Sequence, residues 1–304
     1  MSAINLPGAS LQGPGLPDPL DAAGLARARR DGRTRRGSLT AGLIVLGAML
    51  ILSVAGSLIG GSPSHQDLAS ALAPPGHGGH LFGADALGRD VLSWVGGGIR
   101  TSFEVAVCVV ALSAAFGCAV GILAGYLGGW LDVVLMRLAD IQLSIPPLPL
   151  FIAASAIIVN NLLTLVILIA IVGWVPYARL CRARTLVLKE RGYVAAARLA
   201  GRRRAAIAVL HLLPGLTTEI AILGSLQAGV ALLWEAGLSF LGLGLQPPYV
   251  SLGFLMSEGK EVLSQAWWVA TFPGLALALL VVGFNLTGDG IRDLFSPDVS
   301  GGLR

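Results

Sequence analysis

Residues 103–127 read FEVAVCVVALSAAFGCAVGILAGYL, and Glu104 is the only charged residue in this run. A helix needs roughly 20 apolar residues to cross the hydrocarbon core of a bilayer, where lipid offers the backbone no hydrogen-bond partner. The run therefore predicts a membrane-spanning helix. Five further stretches have the same character: Leu39–Ile59, Val133–Val159, Leu162–Leu180, Leu216–Ala236 and Trp267–Leu286. Together they predict an all-α polytopic membrane protein with six transmembrane helices.

The composition of the whole chain agrees with this class. Of its 304 residues, 55% are apolar and only 12% are charged, whereas soluble domains carry about 25% charged residues. This balance excludes a soluble globule, a coiled coil and a disordered chain. Three cysteines lie in or beside apolar segments and form no disulfide framework: Cys108, Cys118 and Cys181.

The distribution of basic residues predicts the orientation. Cytoplasmic loops of membrane proteins contain an excess of Lys and Arg. Of the 21 Lys and Arg residues, all but Arg89, Arg100 and Lys260 fall before the first span, between the fourth and fifth spans, or beside the third and sixth spans on the same side. The sequence thus places both termini and residues 181–215 in the cytoplasm.

The chain divides into a core and its flanks. We expect a flexible cytoplasmic tail over residues 1–38, which are rich in Pro, Gly, Ala and Arg. The first transmembrane helix should cover 39–60, an extracytoplasmic loop 61–101, a core with five transmembrane helices 102–298, and a C-terminal tail 299–304. Residues 34–39, TRRGSL, also fit a twin-arginine export signal. The apolar run that follows is long enough to span, so an uncleaved anchor is the favoured interpretation.

Within the predicted spans, small residues and prolines suggest how the helices pack and bend. Gly117, Gly121 and Gly125 are four residues apart, which predicts a smooth stripe where another helix packs closely. Asp132 precedes the third span and suits a helix N-cap. Four prolines interrupt the third and fourth spans, where kinks are expected more than mechanical hinges: Pro146, Pro147, Pro149 and Pro176.

Acidic residues within spans are candidates for function because charge is costly in lipid. Four acids qualify: Glu104, Asp140, Glu219 and Glu235. Helix-length arithmetic puts Glu235 at the outer surface, and Glu219 and Glu104 near opposite membrane edges. Only Asp140 approaches the interior, and pairing with Arg137 is the favoured interpretation of it.

Motifs for metal and nucleotide chemistry are weak or missing. His77 and His80 flank two glycines, but two imidazoles without a third ligand make a poor metal site. The sequence contains no G-x-x-x-x-G-K-[ST] phosphate loop and no G-x-S-x-G or H-E-x-x-H motif. We therefore expect no catalytic residues, no resident metal or cofactor and no ATP site in this chain.

The segment Glu190–Leu213 is basic but patterned. Four residues at helical spacing give its N-terminal half a flat face of small side chains with a single aromatic: Tyr193, Ala196, Ala197 and Ala200. Gly201 follows where a residue with positive φ would end that helix. A second helix is predicted over residues 202–212, and Pro214 either stops it or begins the fifth span. The pattern predicts a helix–turn–helix that projects from the membrane.

Ordered motifs over residues 38–298 resemble a known family. They are YVAAARLAG at 193–201 with Ile207 and HLLP at 211–214, LFGADALGRD at 81–90, GYLGGW at 125–130, EAGLSFLGLG at 235–244 with QPP at 246–248, and FNLTGDGIRD at 284–293. The chain is similar to the second permease subunit of bacterial ABC importers of the dipeptide, oligopeptide and nickel class. That resemblance implies the type I importer permease fold and a location in the bacterial inner membrane.

The resemblance also implies partners. A second homologous permease would complete the pathway, two ABC ATPase subunits would use ATP and Mg, and a periplasmic or lipid-anchored binding protein would deliver peptides or related small solutes. No nucleic acid partner is implied. ATP-driven closure of the ATPases would be coupled to alternating access, and the 60–100 segment is the expected contact for the binding protein.

In the family, residues 190–214 correspond to the ATPase-docking loop. The matching positions in this chain are Tyr193, Ala195, Ala196, Ala197, Arg198, Gly201 and Pro214. Two departures stand out, since Ala195 replaces the family's usual glutamate and the turn after Gly201 is the basic run 202–204. The alternative interpretation is a stand-alone secondary transporter or channel, for which Asp140 beside the proline-rich break is the only hint.

Overall fold

The computed structural model describes residues 19–60, 65–155, 161–245 and 249–295, with side chains from residue 37 onward. The described part is helical. Its α-helices are α1 (Pro19–Ile59), α2 (Val91–Leu127), α3 (Gly129–Ser144), α4 (Pro147–Ser155), α5 (Leu162–Leu188), α6 (Gly192–Leu199), α7 (Arg204–Ile207), α8 (Thr217–Phe240), α9 (Leu252–Glu261) and α10 (Trp268–Phe295).

The six-span prediction is confirmed in a modified form. Within the described residues, five helical segments are long and apolar enough to cross a membrane, namely residues 37–59, α2, α5, the continuous segment 204–240 and α10. The sixth is the pair α3 and α4, which bend by 82° at the break between them. The break falls at Pro146, as the proline cluster predicts. Pro176, in contrast, lies inside the uninterrupted helix α5.

Two predicted boundaries differ from the structure. The first helix begins at Pro19, so residues 19–38 of the predicted flexible tail are helical, while residues 1–18 and 296–304 lie outside the described residues. The second helix begins at Val91 and not near residue 102, because Asp90 caps it by accepting a hydrogen bond from the Ser93 N–H at 2.9 Å. The connection between α1 and α2 is therefore shorter than the predicted extracytoplasmic loop over 61–101.

The predicted cap at Asp132 is wrong. Helix α3 starts at Gly129 with Gly128 as its N-cap, and Asp132 lies in its first turn. Its carboxylate instead accepts two hydrogen bonds from Arg182 on α5, the longer at 2.7 Å. The contact ties the start of α3 to the end of α5, a long-range partnership that local sequence spacing does not reveal.

The glycine stripe packs against α5 as predicted. A Cβ on Gly117 would lie 2.7 Å from the Tyr177 Cβ, one on Gly121 would lie 2.8 Å from the Cys181 Cβ, and Gly125 meets Thr185 in the same way. These distances leave no room for any side chain. The two helices therefore approach backbone to backbone along this stripe, and α2 and α5 form the central pair of the bundle.

The remaining helices surround this pair. Helix α1 packs on α10 and α2, α8 packs on α2 and α10, and the short helix α9 packs on α8 and α10. Two ends result. The α6 end contains the 190–214 loop, and the α9 end contains residues 65–90, joined to α10 by a hydrogen bond that the Trp268 indole N–H donates to the Ala84 carbonyl oxygen at 3.1 Å.

Candidate functional site

The 190–214 loop forms a compact helix–turn–helix at the α6 end. Helix α6 is closed by Gly201, whose φ of +70° is the left-handed conformation that the sequence predicts. The Gly201 N–H donates to the Arg198 carbonyl oxygen at 3.0 Å, and the Arg202 N–H donates to the Ala197 carbonyl oxygen at 3.2 Å. This pair of bonds is the Schellman arrangement, which satisfies carbonyls that a helix end otherwise leaves unpaired.

The second helix of the loop ends earlier than predicted. Helix α7 covers only Arg204–Ile207, and the chain continues through a π-helical turn at Ala208–Leu212 and a 3-10 turn at Leu213–Leu216 into α8. Pro214 therefore does not stop the helix. It lies in the 3-10 turn, where its missing N–H costs little, and the loop joins the following span as one continuous helical segment.

The underside of the loop is fixed in a hydrophobic core. Val194 and Ile207 of the loop, followed by Leu212 and Leu216, pack with the α2 and α5 residues Cys118, Ile122, Tyr177 and Cys181. The two buried thiols lie 3.2 Å apart. Because both helices of the loop contribute buried side chains, the loop is joined to α2 and α5 as a rigid part of the bundle.

The predicted small-residue face is only partly correct. Ala197 is 8% exposed and packs inward, so it belongs to the underside and not to an external surface. Ala195, Ala196 and Ala200 are exposed. The residue that sequence reasoning missed is Leu199, which is 90% exposed at the last position of α6. An apolar face was visible in the sequence, but its rotation about the helix axis was not.

Aromatic contacts hold the exposed side of the loop in place. The Tyr193 ring is 45% exposed and stacks on the His211 ring, with 6.4 Å between centroids. The Arg198 guanidinium lies over the Tyr126 ring of α2, 5.1 Å from its centroid. Together with Leu199, these side chains form an amphipathic outer surface on a rigid support.

Ion pairs near the α6 end connect α5 to neighbouring helices. Arg184 of α5 lies 3.0 Å from the Glu219 carboxylate of α8. The Arg179 Nη2 donates to the Asp140 Oδ1 at 2.7 Å, so the predicted Asp140–Arg137 pairing is wrong. Asp140 is half exposed and its partner comes from α5, which a same-helix spacing rule cannot predict. The Asp140 carboxylate is therefore paired with a cation on a neighbouring helix.

A buried carboxylate lies toward the other end of the bundle. Glu235 of α8 is fully buried within the protein, five residues before the helix ends at Phe240. It accepts hydrogen bonds from the hydroxyls of Ser102 at 3.0 Å, Ser239 at 3.2 Å and Ser251 at 2.8 Å. These serines belong to α2, α8 and the N-cap of α9, so the carboxylate links three helices. Only Ser239, one turn away on the same helix, could have been anticipated.

Ion pairs of a buried arginine hold the α9 end together. Arg89 is buried and bridges Asp85 and Glu258 while its guanidinium lies 4.3 Å from the Trp94 ring centroid. Burial raises the pKa of the Glu258 carboxyl above its ordinary value, and Arg89 opposes that shift. His80 pairs with an aspartate, Asp90, at 2.8 Å. Among the residues described here, no three His, Cys, Asp or Glu side chains converge on a metal-sized site.

Comparison with known proteins identifies the family. Residues 117–301 match the binding-protein-dependent transport system inner membrane component. The chain belongs to this family. Similar proteins include the probable D,D-dipeptide transport system permease of Escherichia coli, which is 38% identical over 264 residues, 87% of this chain and 88% of that protein.

Two further relatives cover comparable lengths. The dipeptide transport system permease of Haemophilus influenzae is 36% identical over 270 residues, 87% of this chain and 92% of that protein. The glutathione transport system permease of Pectobacterium atrosepticum is 39% identical over 218 residues, 72% of each. The predicted permease subunit of a binding-protein-dependent ABC importer is thereby confirmed, and the alternative of a stand-alone secondary transporter is not supported.

Proposed function

We propose that this permease is one of two homologous membrane subunits of an importer for peptides or related small solutes, driven by two ABC ATPases that bind ATP and Mg. Support for the cargo class comes from the relatives, which are named for dipeptides, D,D-dipeptides, oligopeptides and glutathione. Support for separate ATPase subunits comes from the sequence, which lacks a phosphate-binding loop.

The 190–214 loop is the surface on which an ATPase subunit docks. The observation that carries this proposal is Leu199, a large apolar side chain left 90% exposed on a helix whose opposite side is fixed in the core. An isolated exposed leucine on a flexible tail would mean little. Here Tyr193, Ala195, Ala196, Arg198 and Ala200 surround the exposed leucine with small and amphipathic groups that a partner groove can approach closely.

The rigidity of the loop lets it transmit motion. Val194 and Ile207 anchor it to α2 and α5, and the Arg184–Glu219 pair ties α5 to α8. Shifting an equilibrium from 1:99 to 99:1 requires about 5.5 kcal/mol of differential binding. A loop attached only by its ends would bend when the ATPases pull on it. A loop packed against α2 and α5 moves these helices with it. Closure of the ATPases would therefore move α2 and α5, the central helix pair, directly.

Leu199→Asp tests the docking proposal. Burying a leucine contributes about 1.5 to 3 kcal/mol, so we expect at least a tenfold loss of ATPase subunit recovered with the affinity-purified permease. The matched control is Leu263→Asp, an exposed leucine at the α9 end. Unchanged recovery for Leu199→Asp, or an equal loss for the control, contradicts docking at this loop.

We propose that the α6 end and both termini face the cytoplasm, supported by the bias of basic residues toward that end. Leu199→Cys and Leu68→Cys, each placed in a chain whose three native cysteines are replaced by alanine, test this orientation with a membrane-impermeant maleimide. In spheroplasts, position 68 should be labelled and position 199 should react only after lysis. The reverse pattern rejects the orientation.

The α9 end is the proposed contact for the binding protein. Arg89 holds residues 65–90 against α9, which gives that polar segment a defined shape. Its exposed side presents Leu68 and Leu81 among polar residues, a composition suited to a transient protein interface. Arg89→Ala should reduce uptake stimulated by the binding protein while leaving ATPase recovery unchanged. Loss of both together would mean that Arg89 acts through general folding.

A further inference from the structure

Two cavities line the same groove between α2 and the chain around the 190–214 loop. The first has a volume of about 370 Å³ and is lined by Tyr126, Leu127, Arg198, Arg202, Arg204 and Ile207. The second has a volume of about 520 Å³ and lies further along α2 from the α6 end. It is lined on one side by α2 residues between Ala114 and Leu123, and on the other by apolar residues between Ala205 and Ile220.

The two cavities follow one another along the same helices. On α2, Ile122 and Leu123 line the apolar cavity, and Tyr126 and Leu127, one turn further on, line the basic one. On the opposite wall, Arg204 and Ile207 line the basic cavity, and Ala205 and Ala208 line the apolar one. The groove therefore changes from apolar to cationic as it approaches the membrane edge.

Among the side chains that the structure describes, none supplies a counter-charge at the basic end. In the part of the chain that the structure describes, the ion pairs at this end are made by Arg179, Arg182 and Arg184, and none is made by Arg198, Arg202 or Arg204. Three guanidinium groups around one cavity repel each other unless an anion lies between them. Arginine is also the residue best shaped to bind phosphate oxygens.

The position of the groove relative to the bilayer restricts the occupant. Leu127 ends a membrane-spanning helix and Trp130, 76% exposed, follows it. Exposed tryptophan is enriched at the headgroup level of membranes. The cationic cavity thus lies at headgroup depth and the apolar cavity at acyl-chain depth. Basic pockets between helices on the cytoplasmic side are recognised sites for anionic headgroups.

We propose that this groove binds one anionic phospholipid, with its phosphate among Arg198, Arg202 and Arg204 and an acyl chain in the apolar cavity against α2. The occupant is an anionic glycerophospholipid such as phosphatidylglycerol. The bound lipid bridges α2 and the 190–214 loop, and so stabilises the packing of the loop on α2. Arg198 also borders the proposed docking surface around Leu199, so ATPase recovery is measured alongside lipid labelling.

The test uses the assembled transporter in vesicles containing phosphatidylglycerol with a diazirine in one acyl chain. Photolysis should label α2 peptides within residues 114–123, and phosphatidylcholine with the same diazirine chain should label them at least tenfold less. Soluble glycerol phosphate should not compete. Equal labelling by the two lipids, or competition by the soluble headgroup, overturns the proposal.

Charge variants locate the headgroup. Arg198→Gln with Arg202→Gln removes two lining charges and should lower labelling roughly 30-fold, since each basic residue near an anionic surface contributes roughly fivefold. The matched control, Arg191→Gln with Arg203→Gln, removes the same charge from exposed positions of the same loop that do not line the cavity. A loss as large in the control as in the test pair refutes a defined phosphate site.

Volume variants locate the acyl chain. Ala119→Trp fills the apolar cavity and should abolish labelling of its walls, whereas Ala111→Trp, at an exposed position of α2 outside the cavity, should leave labelling intact. ATPase recovery is measured in the same preparations, which separates lipid binding from docking. Labelling that is present in the permease pair but abolished when ATPases are added would assign the groove to a protein contact and overturn the proposal.

Discussion

The Ala197 carbonyl oxygen accepts a hydrogen bond from the Arg202 N–H at 3.2 Å, across Gly201. This bond fixes the direction in which the chain leaves α6, and it requires the positive φ of Gly201. The same residue pair marks the boundary between two surfaces, because Ala197 faces the core and Arg202 lines the basic cavity. The geometry of one turn therefore determines which residues of the 190–214 loop a partner can reach.

Substitution of Gly201 should uncouple transport. A non-glycine residue in the left-handed region costs about 1 to 2 kcal/mol, and Gly201→Ile should redirect the chain and lower both uptake and ATPase recovery. Space is not the reason, since nothing lies within 4 Å of a Cβ at this position. Gly201→Asn should be milder because asparagine tolerates this conformation.

Gly192→Ala is the matched control for this experiment. Gly192 is the first residue of α6, has open space around it and has no positive φ. We expect normal uptake from it. Unchanged uptake in Gly201→Ile would contradict a role for the turn geometry in coupling.

Enlarging Gly121 should separate the central helix pair. Because a Cβ there would lie 2.8 Å from the Cys181 Cβ, Gly121→Val should destabilise the purified protein by about 1 to 3 kcal/mol, the usual cost of overpacking. The midpoint of thermal unfolding in detergent measures it. Gly47→Ala in α1, with nothing within 4 Å, should leave the midpoint unchanged. Equal midpoints for both variants would argue against close packing of α2 on α5.

Glu235→Ala should destabilise the bundle by on the order of 3 kcal/mol. The change leaves three buried serine hydroxyls without their acceptor, at roughly 1 to 3 kcal/mol for each group that finds no other partner. Glu235→Gln retains an acceptor and should lose less. Thermal unfolding is again the measurement, with Glu104→Gln as the control because Glu104 pairs with Arg100 at the surface. If Glu235→Ala is as stable as the control, the hydrogen bonds between Glu235 and the three serines do not stabilise the bundle.

Restoring the family's glutamate at Ala195 should have a small effect. Ala195 is exposed, so a carboxylate there would remain in water and add less than about 1 kcal/mol to an ATPase contact. We expect Ala195→Glu to change ATPase affinity by no more than about fivefold in a pull-down titration. Complete loss of assembly would mean that this loop docks differently from that of its relatives.

Several features of the fold and site could be predicted because they depend on local spacing. The glycine stripe, the break at Pro146 and the positive φ at Gly201 each follow from the residue type at one position and its near neighbours. The partners of Asp132, Asp140 and Glu235 could not be predicted, because each partner set includes a residue from another helix.

What the sequence alone determined is the class of the protein: apolar runs of bilayer length leave the backbone no option but helix, and the ordered motifs specify the family. Only the tertiary structure decided which side of α6 is free. The rotation of Leu199 outward and Ala197 inward depends on where Val194 and Ile207 meet α2 and α5, and such packing arises from the fit of side chains that are distant in the sequence.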